Sequence, residues 1–244
     1  MLQKGRTSMF FDPLYFVFML PGLAFMLWAQ SKVKGNYAKY SKIRNEAGVT
    51  GAQAARRVLD SQGLQDVAIE AIPGELSDHY DPRKRVLRLS PGVFGQPTIA
   101  AIGIAAHEAG HAIQHAKAYV PMQVRSLMWP VAAFGGSTWQ FVFMGGVLLG
   151  AFQFISPEAA RMAILAGIGL FSFAVLFHMV TLPVEFDASR RAKVQIAELG
   201  IVPNTEMEGT RKVLNAAAMT YVVGALSSLM LLVYYIWQYV LPRD

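Results

Sequence analysis

The chain has 244 residues, 54% of them hydrophobic and only 16% charged, with a positive mean hydropathy, a balance that weighs against a water-soluble domain and toward a membrane. Lysine and arginine (22) outnumber aspartate and glutamate (16), and the net +6 suits an anionic surface of lipid or of nucleic acid until position decides between them. With no cysteine, a disulfide framework and a thiolate metal site are both excluded, so any metal must rely on histidine and carboxylate.

In chain order, the first apolar run is residues 13–29, PLYFVFMLPGLAFMLWA, with Pro21 in its middle. It is at the short end of the about 20 residues that a spanning helix needs. Lys4 and Arg6 precede it, as in a signal peptide, yet the run exceeds a usual h-region and the small-residue site at Ala29 and Ser31 is weak. Residues 1–30 therefore read as an uncleaved anchor carrying the first transmembrane helix.

Residues 31–127 are enough for a small domain. Thr50 and Gln53 form a capping-box pattern, Ala54, Val58 and Leu59 give a helical stripe, and Gly63 supplies a stop, which predicts a short amphipathic helix. VAIEAI (67–72) and RVLRLS (85–90) read as strands separated by turn signals at Pro73, Gly74 and Asp81-Pro82, with residues 76–80 a candidate strand between them. Pro91 and Gly92 end the sheet, and Thr98 caps a helix from Ile99 to Ala118 or thereabouts.

Three further apolar runs follow: 128–155, Gly-rich and flanked by Trp129 and Trp139; 163–184; and 217–241, closing with Tyr234, Tyr235, Trp237 and Tyr239. Residues 128–184 thus hold transmembrane helices two and three, 185–216 form a second loop on the side of the 31–127 region, and 217–244 hold the fourth helix. Lys32, Lys34, Lys39, Lys42, Arg44, Lys117, Arg125, Arg190, Arg191, Lys193, Arg211 and Lys212 fall on one side of these spans, against Lys4, Arg6, Arg161 and Arg243 on the other. The positive-inside rule makes 31–127 and 185–216 cytoplasmic and puts both termini outside. Topology explains the positive charge better than a nucleic-acid partner does.

The predicted helix from Ile99 carries AAHEAGHAIQH, residues 105–115. His107 and His111 are one turn apart, about 6 Å along the axis, so their imidazoles project from one face and can converge on one ion. Glu108 lies about 100° round from His107, beside the ion, where it can take a proton from an activated water. This is the HExxH pattern of zinc peptidases. His115 is about 12 Å of rise from His107, too far to share the ion, and reads as a supporting or interfacial residue. Three fixed positions recur by chance in unrelated proteins. The helical context, Gly110 as a point of close backbone approach, and the cost of burying His and Glu without a metal all favour a site.

A catalytic zinc takes three protein ligands and keeps one position open. Glu158 lies in the loop on the far side of the bilayer and His178 lies inside the third span, which leaves the acidic pair of VEFDASRRA, Glu185 and Asp187. These are about 200° apart on a helix, so only one of them can face the ion. The bland alternative makes both of them interfacial caps paired with Arg190 or Arg191.

HEAGHAIQH, preceded by LSDHYDPRKRVLRLS and followed after a pair of spans by VEFDASRRA, resembles the YugP-like neutral zinc metallopeptidases of prokaryotic membranes. It is similar more distantly to the HtpX and CAAX prenyl protease gluzincins. The resemblance implies a downstream motif Glu-x-x-Ala-Asp whose Glu is the third ligand. Glu185 and Ala188 match it, while Ser189 stands where the Asp would be. That departure concerns only the carboxylate supporting a ligand, a place open to Asp187 or a backbone carbonyl.

The expected fold class is mainly α: an integral membrane bundle of four transmembrane helices with a small cytoplasmic α+β zincin-like domain. The expected function is zinc-dependent endopeptidase activity on protein or peptide substrates, with His107, His111 and Glu185 holding Zn²⁺ and Glu108 as the catalytic base. By similarity to gluzincins the substrate lies along an edge strand, and either RVLRLS or residues 76–80 is open to that role. His79 and Tyr80 are candidates for stabilising the oxyanion, against their reading as a plain surface turn. The rival functions are a metal-binding scaffold without turnover and a small transporter lined by His178 and the Gly-rich second span.

Overall fold

The computed structural model describes residues 13–241, so Lys4, Arg6 and Arg243, used in the charge count above, lie outside the described residues. The elements are α1 (Pro13–Tyr40), α2 (Gly51–Ser61), β1 (Ala68–Ala71), β2 (His79–Asp81), β3 (Val86–Leu89), α3 (Pro91–Phe94), α4 (Ile99–Ala116), α5 (Val120–Ala151), α6 (Pro157–Glu198) and α7 (Asn204–Tyr239). The chain is mainly helical with one small sheet, and α1, α5, α6 and α7 are each long and apolar enough to cross a membrane. Each of the four helices runs past the apolar window read from sequence at one end or both, while α5 stops at Ala151 and α7 at Tyr239, short of the expected 155 and 241. Hydropathy marks where a helix is greasy, whereas its backbone hydrogen bonding continues into polar residues.

Two compact units divide the residues. One comprises residues 29–124 and 180–221. Here α2 begins with the expected capping box: Thr50 Oγ1 accepts from the Gln53 N–H at 3.3 Å, and Gln53 Oε1 accepts from the Thr50 N–H at 3.0 Å. Its apolar stripe, Ala54, Ala55, Val58 and Leu59, is fully buried and packs in one core with Ala101, Ile102, Ala105, Ala109 and Ile113 of α4. Thr98 caps α4 as expected, accepting from the Ala101 N–H at 3.2 Å.

The three-stranded sheet has the order β1-β3-β2, with β1 parallel and β2 antiparallel to β3. The outer expected strands are present in shortened form. Between them, the extended run 76–80 is reduced to His79–Asp81. Leu76 adopts a left-handed φ of 53°, which breaks the run. The Asp78 carboxylate turns back to accept from the Ser90 N–H at 2.7 Å. Pro91 and Gly92 do end the sheet, and they also open the helical turn α3, with proline at its first position where a missing N–H costs nothing.

The other unit comprises residues 1–28, 125–179 and 222–244, of which 13–28, 125–179 and 222–241 are described. Its core is aromatic: Phe143, Phe171, Tyr234 and Tyr235 are buried, and Trp139 stacks on Phe171 with ring centroids 4.4 Å apart. Gly146 of the Gly-rich span and Gly167 of α6 let these two helices approach. A Cβ at Gly146 would fall 2.9 Å from the Ala160 carbonyl oxygen, and one at Gly167 would fall 2.7 Å from the Phe143 Cβ. These two glycines are occupied in helix packing. Large apolar side chains such as Leu127, Phe141 and Phe154 point outward, a surface suited to lipid.

Candidate metal centre

Helix α4 carries His107, Glu108 and His111, and α6 carries Glu185. The two imidazoles sit edge to face with centroids 4.8 Å apart. Glu185, 2% exposed, aims one carboxylate oxygen at both rings: Oε2 lies 3.2 Å from His107 Nε2 and 3.6 Å from His111 Nε2. Among the described residues, these three form the only grouping of at least three His, Cys, Asp or Glu side chains whose donor atoms come close enough to hold one ion.

The distances fit zinc. Donors at about 2.0–2.2 Å in a tetrahedron lie about 3.3 Å from one another, close to both separations. A simple hydrogen bond would account for one of them. A carboxylate oxygen can accept from both rings without a metal, and the same convergence presents three donor atoms to one ion.

The backbone brings these groups together through Gly110. A Cβ at residue 110 would fall 2.6 Å from the Ala188 carbonyl oxygen and 3.2 Å from the Ala188 Cα, so only glycine lets α4 approach α6 this closely. Ala188 is itself fully buried at that crossing.

Each imidazole is held from behind. His107 Nδ1 lies 3.1 Å from Ser189 Oγ, and His111 Nδ1 lies 3.0 Å from Gln114 Oε1. Ser189 thus takes the supporting place beside His107, a place that on sequence is open to Asp187 or a backbone carbonyl. Asp187 is turned elsewhere, accepting from Gln114 Nε2 at 3.0 Å and from Arg190 and Arg191. The two acidic residues therefore part company, Glu185 facing the imidazoles and Asp187 facing the arginines. Gln114 escaped the sequence reading, although a glutamine three residues after His111 in an apolar helix was a usable signal.

Glu108 is nearly buried, and its Oε2 accepts from the Tyr80 backbone N–H of β2 at 3.0 Å. The Tyr80 hydroxyl lies 2.9 Å from His115 Nδ1, so His115 packs with Tyr80 and stays outside the His107–His111–Glu185 grouping. His79 is on the exposed side of the strand, its Nδ1 2.8 Å from the Ser77 carbonyl oxygen. His178 falls outside the grouping, its ring 6.3 Å from that of Phe177.

Electrostatics follow the geometry. Burial alone would push the Glu185 carboxyl up, but the hydrogen bonds and charge of His107 and His111 outweigh it and hold the group far below the usual carboxylate range. At His111 burial presses the imidazole down. The hydrogen bond and charge of Glu185, the charge of Glu108 and the Gln114 hydrogen bond outweigh it, and the net shift is upward. For Asp187, burial is likewise overcome by Arg191, Gln114 and Arg190, and its pKa is lowered.

With fold and geometry in view, the chain proves to be a member of a peptidase family: residues 15–240 match the family described as "Putative neutral zinc metallopeptidase", and the chain belongs to it. It is 45% identical over 230 residues to the "Putative membrane protease YugP" of Bacillus subtilis (strain 168), an alignment covering 94% of this chain and 98% of that protein. No solved structure matches the chain.

Two outcomes follow from this geometry. Gly110→Ala should drive α6 from α4 and lower zinc stoichiometry in the purified protein well below that of the wild type, as read by elemental analysis; unchanged zinc would mean that the close approach is dispensable. Zinc and protons also compete for His111. In the zinc-free protein the His111–Glu185 pair contributes stability that is fully present below the ordinary imidazole value of 6.5 and is lost as pH rises through the raised folded value. Zinc needs the unprotonated ring, so the gain in melting temperature on adding zinc should grow from about pH 6 to about pH 8. A gain that is flat or shrinks across that window contradicts the assignment.

Proposed function

We propose that this protein is a multi-pass membrane zinc endopeptidase that hydrolyses protein or peptide substrates on the cytoplasmic side, with His107, His111 and Glu185 as metal ligands and Glu108 as the catalytic base. The observation that carries the reading is the turning of two imidazole Nε2 atoms toward one buried Glu185 oxygen, with Glu108 on the next position of the same helix. Membership in a zinc metallopeptidase family and likeness to a protein named a membrane protease support it. Four apolar helices support the membrane setting, and the distribution of Lys and Arg supports the cytoplasmic side.

Zn²⁺ held there would polarise a scissile carbonyl and acidify the attacking water. Glu108 takes the proton from that water and hands it to the leaving amine. The N–H of Tyr80, donating to one Glu108 oxygen, holds the carboxylate in place and leaves the other oxygen for the proton. The two imidazoles that hold the Glu185 carboxyl below the usual carboxylate range favour its ionised, ligating form.

The choice between candidate strands turns on sheet order. β3, the RVLRLS segment, is paired on both sides and has no edge to offer. β2 has one edge that pairs with no strand, and the Tyr80 N–H reaches Glu108, which sets that strand beside the proposed base, so we assign substrate docking to β2.

Glu108→Gln should retain zinc while hydrolysis of a casein-like substrate falls by at least about 100-fold; full activity in that variant removes Glu108 as the base. Glu185→Ala should strip most of the zinc and Asp187→Ala less, as measured by metal analysis of the detergent-purified proteins, and the reverse order would move the ligand to Asp187. Zinc retained by the wild type without cleavage of unfolded or membrane proteins would establish a metal-binding scaffold instead.

A further inference from the structure

We propose that Gln114 is a positioning residue for the metal: its amide, itself oriented by Asp187 and the Val184 carbonyl, holds His111 in the tautomer whose Nε2 lone pair is free to bind. The proposal rests on the metallopeptidase reading of the site.

The argument is one of donors and acceptors. An amide presents an oxygen that only accepts and a nitrogen that only donates, and its orientation follows from its partners. Gln114 is fully buried, and its Nε2 faces the Val184 carbonyl oxygen at 2.8 Å and Asp187 Oδ2 at 3.0 Å. A carbonyl and a carboxylate held by Arg190 and Arg191 are acceptors only, so the NH₂ must lie on that side. Oε1 therefore faces His111 Nδ1 at 3.0 Å. An acceptor there requires the hydrogen on Nδ1, and in a neutral imidazole the lone pair is then on Nε2, the atom turned toward Glu185. With the amide reversed, the hydrogen would move to Nε2 and that nitrogen could not ligate.

The same side chain reaches the other helix. Val184 immediately precedes Glu185, so one amide ties His111 of α4 to the backbone beside the α6 ligand. His107 has no equivalent device: its partner, the Ser189 hydroxyl, can donate or accept and does not dictate a tautomer.

The test uses the full-length protein in detergent, with zinc affinity measured by competition against a chromophoric chelator. Gln114→Met keeps the length and bulk of the side chain without its hydrogen bonds, and should weaken zinc binding by about 10–100-fold. Nitrogen NMR of ¹⁵N-histidine-labelled, zinc-free wild type, recorded at alkaline pH where the ring is neutral and with His111 assigned by its loss in His111→Gln, should show the hydrogen on Nδ1, a readout that general loosening of the fold does not produce. A Gln114→Met protein binding zinc as tightly as a zinc-binding wild type overturns the proposal, and so does a wild-type His111 with its hydrogen on Nε2, even if the methionine variant fails to fold. Failure of the wild type to bind zinc at all defeats the metallopeptidase reading and this inference with it.

Discussion

The centre depends on two helices meeting more closely than side chains ordinarily permit. At Gly110 the α4 backbone lies against the Ala188 peptide of α6 with no room for even a methyl group. That contact brings Glu185 to the two imidazoles, because Glu185 lies a single turn before Ala188 on the same helix. Displacement of one helix by the width of a methyl would open both distances beyond what a single ion can bridge. The small residues around the motif, Ala105, Ala106, Ala109 and Ala112, are buried in that core and keep α4 slim along the same stretch.

Around this contact the interior carries a cluster of polar groups. Gln114, Glu185, Asp187 and Ser189 are all buried, and each has a named partner within the cluster. A half-satisfied network of this kind costs more than an apolar core does. Its completeness here is what allows two acids, two imidazoles and an amide to share a space enclosed by Val184, Ile113 and the alanines of α4. Tyr80 extends the network to the sheet, its backbone serving Glu108 and its hydroxyl serving His115.

Much of this was legible in the residues. Short-range chemistry read well: the Thr50–Gln53 box, the Thr98 cap, two of the strands and the i, i+4 placement of His107 and His111 each depend on a few neighbouring positions. Glu185 was narrowed to one of two acids by helical spacing, and resemblance was needed to choose, because spacing cannot say which way a helix is turned. The parts that could not be read are contacts made across the fold. Sheet order, which closes off RVLRLS, is a long-range property invisible in the segment itself. Ser189 stood out only as a mismatch, and its place behind His107 depends on how α6 is rotated against α4. Hydropathy likewise located the greasy stretches of α1, α5, α6 and α7 without revealing that the helices extend beyond them.

The brevity of β2 has its own consequence. A strand of three residues, with the N–H of its middle residue already committed to Glu108, has little main chain left over to grip a visiting polypeptide. On the proposal that β2 is the docking strand, a guest seated there would be held weakly by its backbone and discriminated mainly by side chains. Turnover would then favour long, loosely structured chains over short peptides, which bring too few contacts to stay.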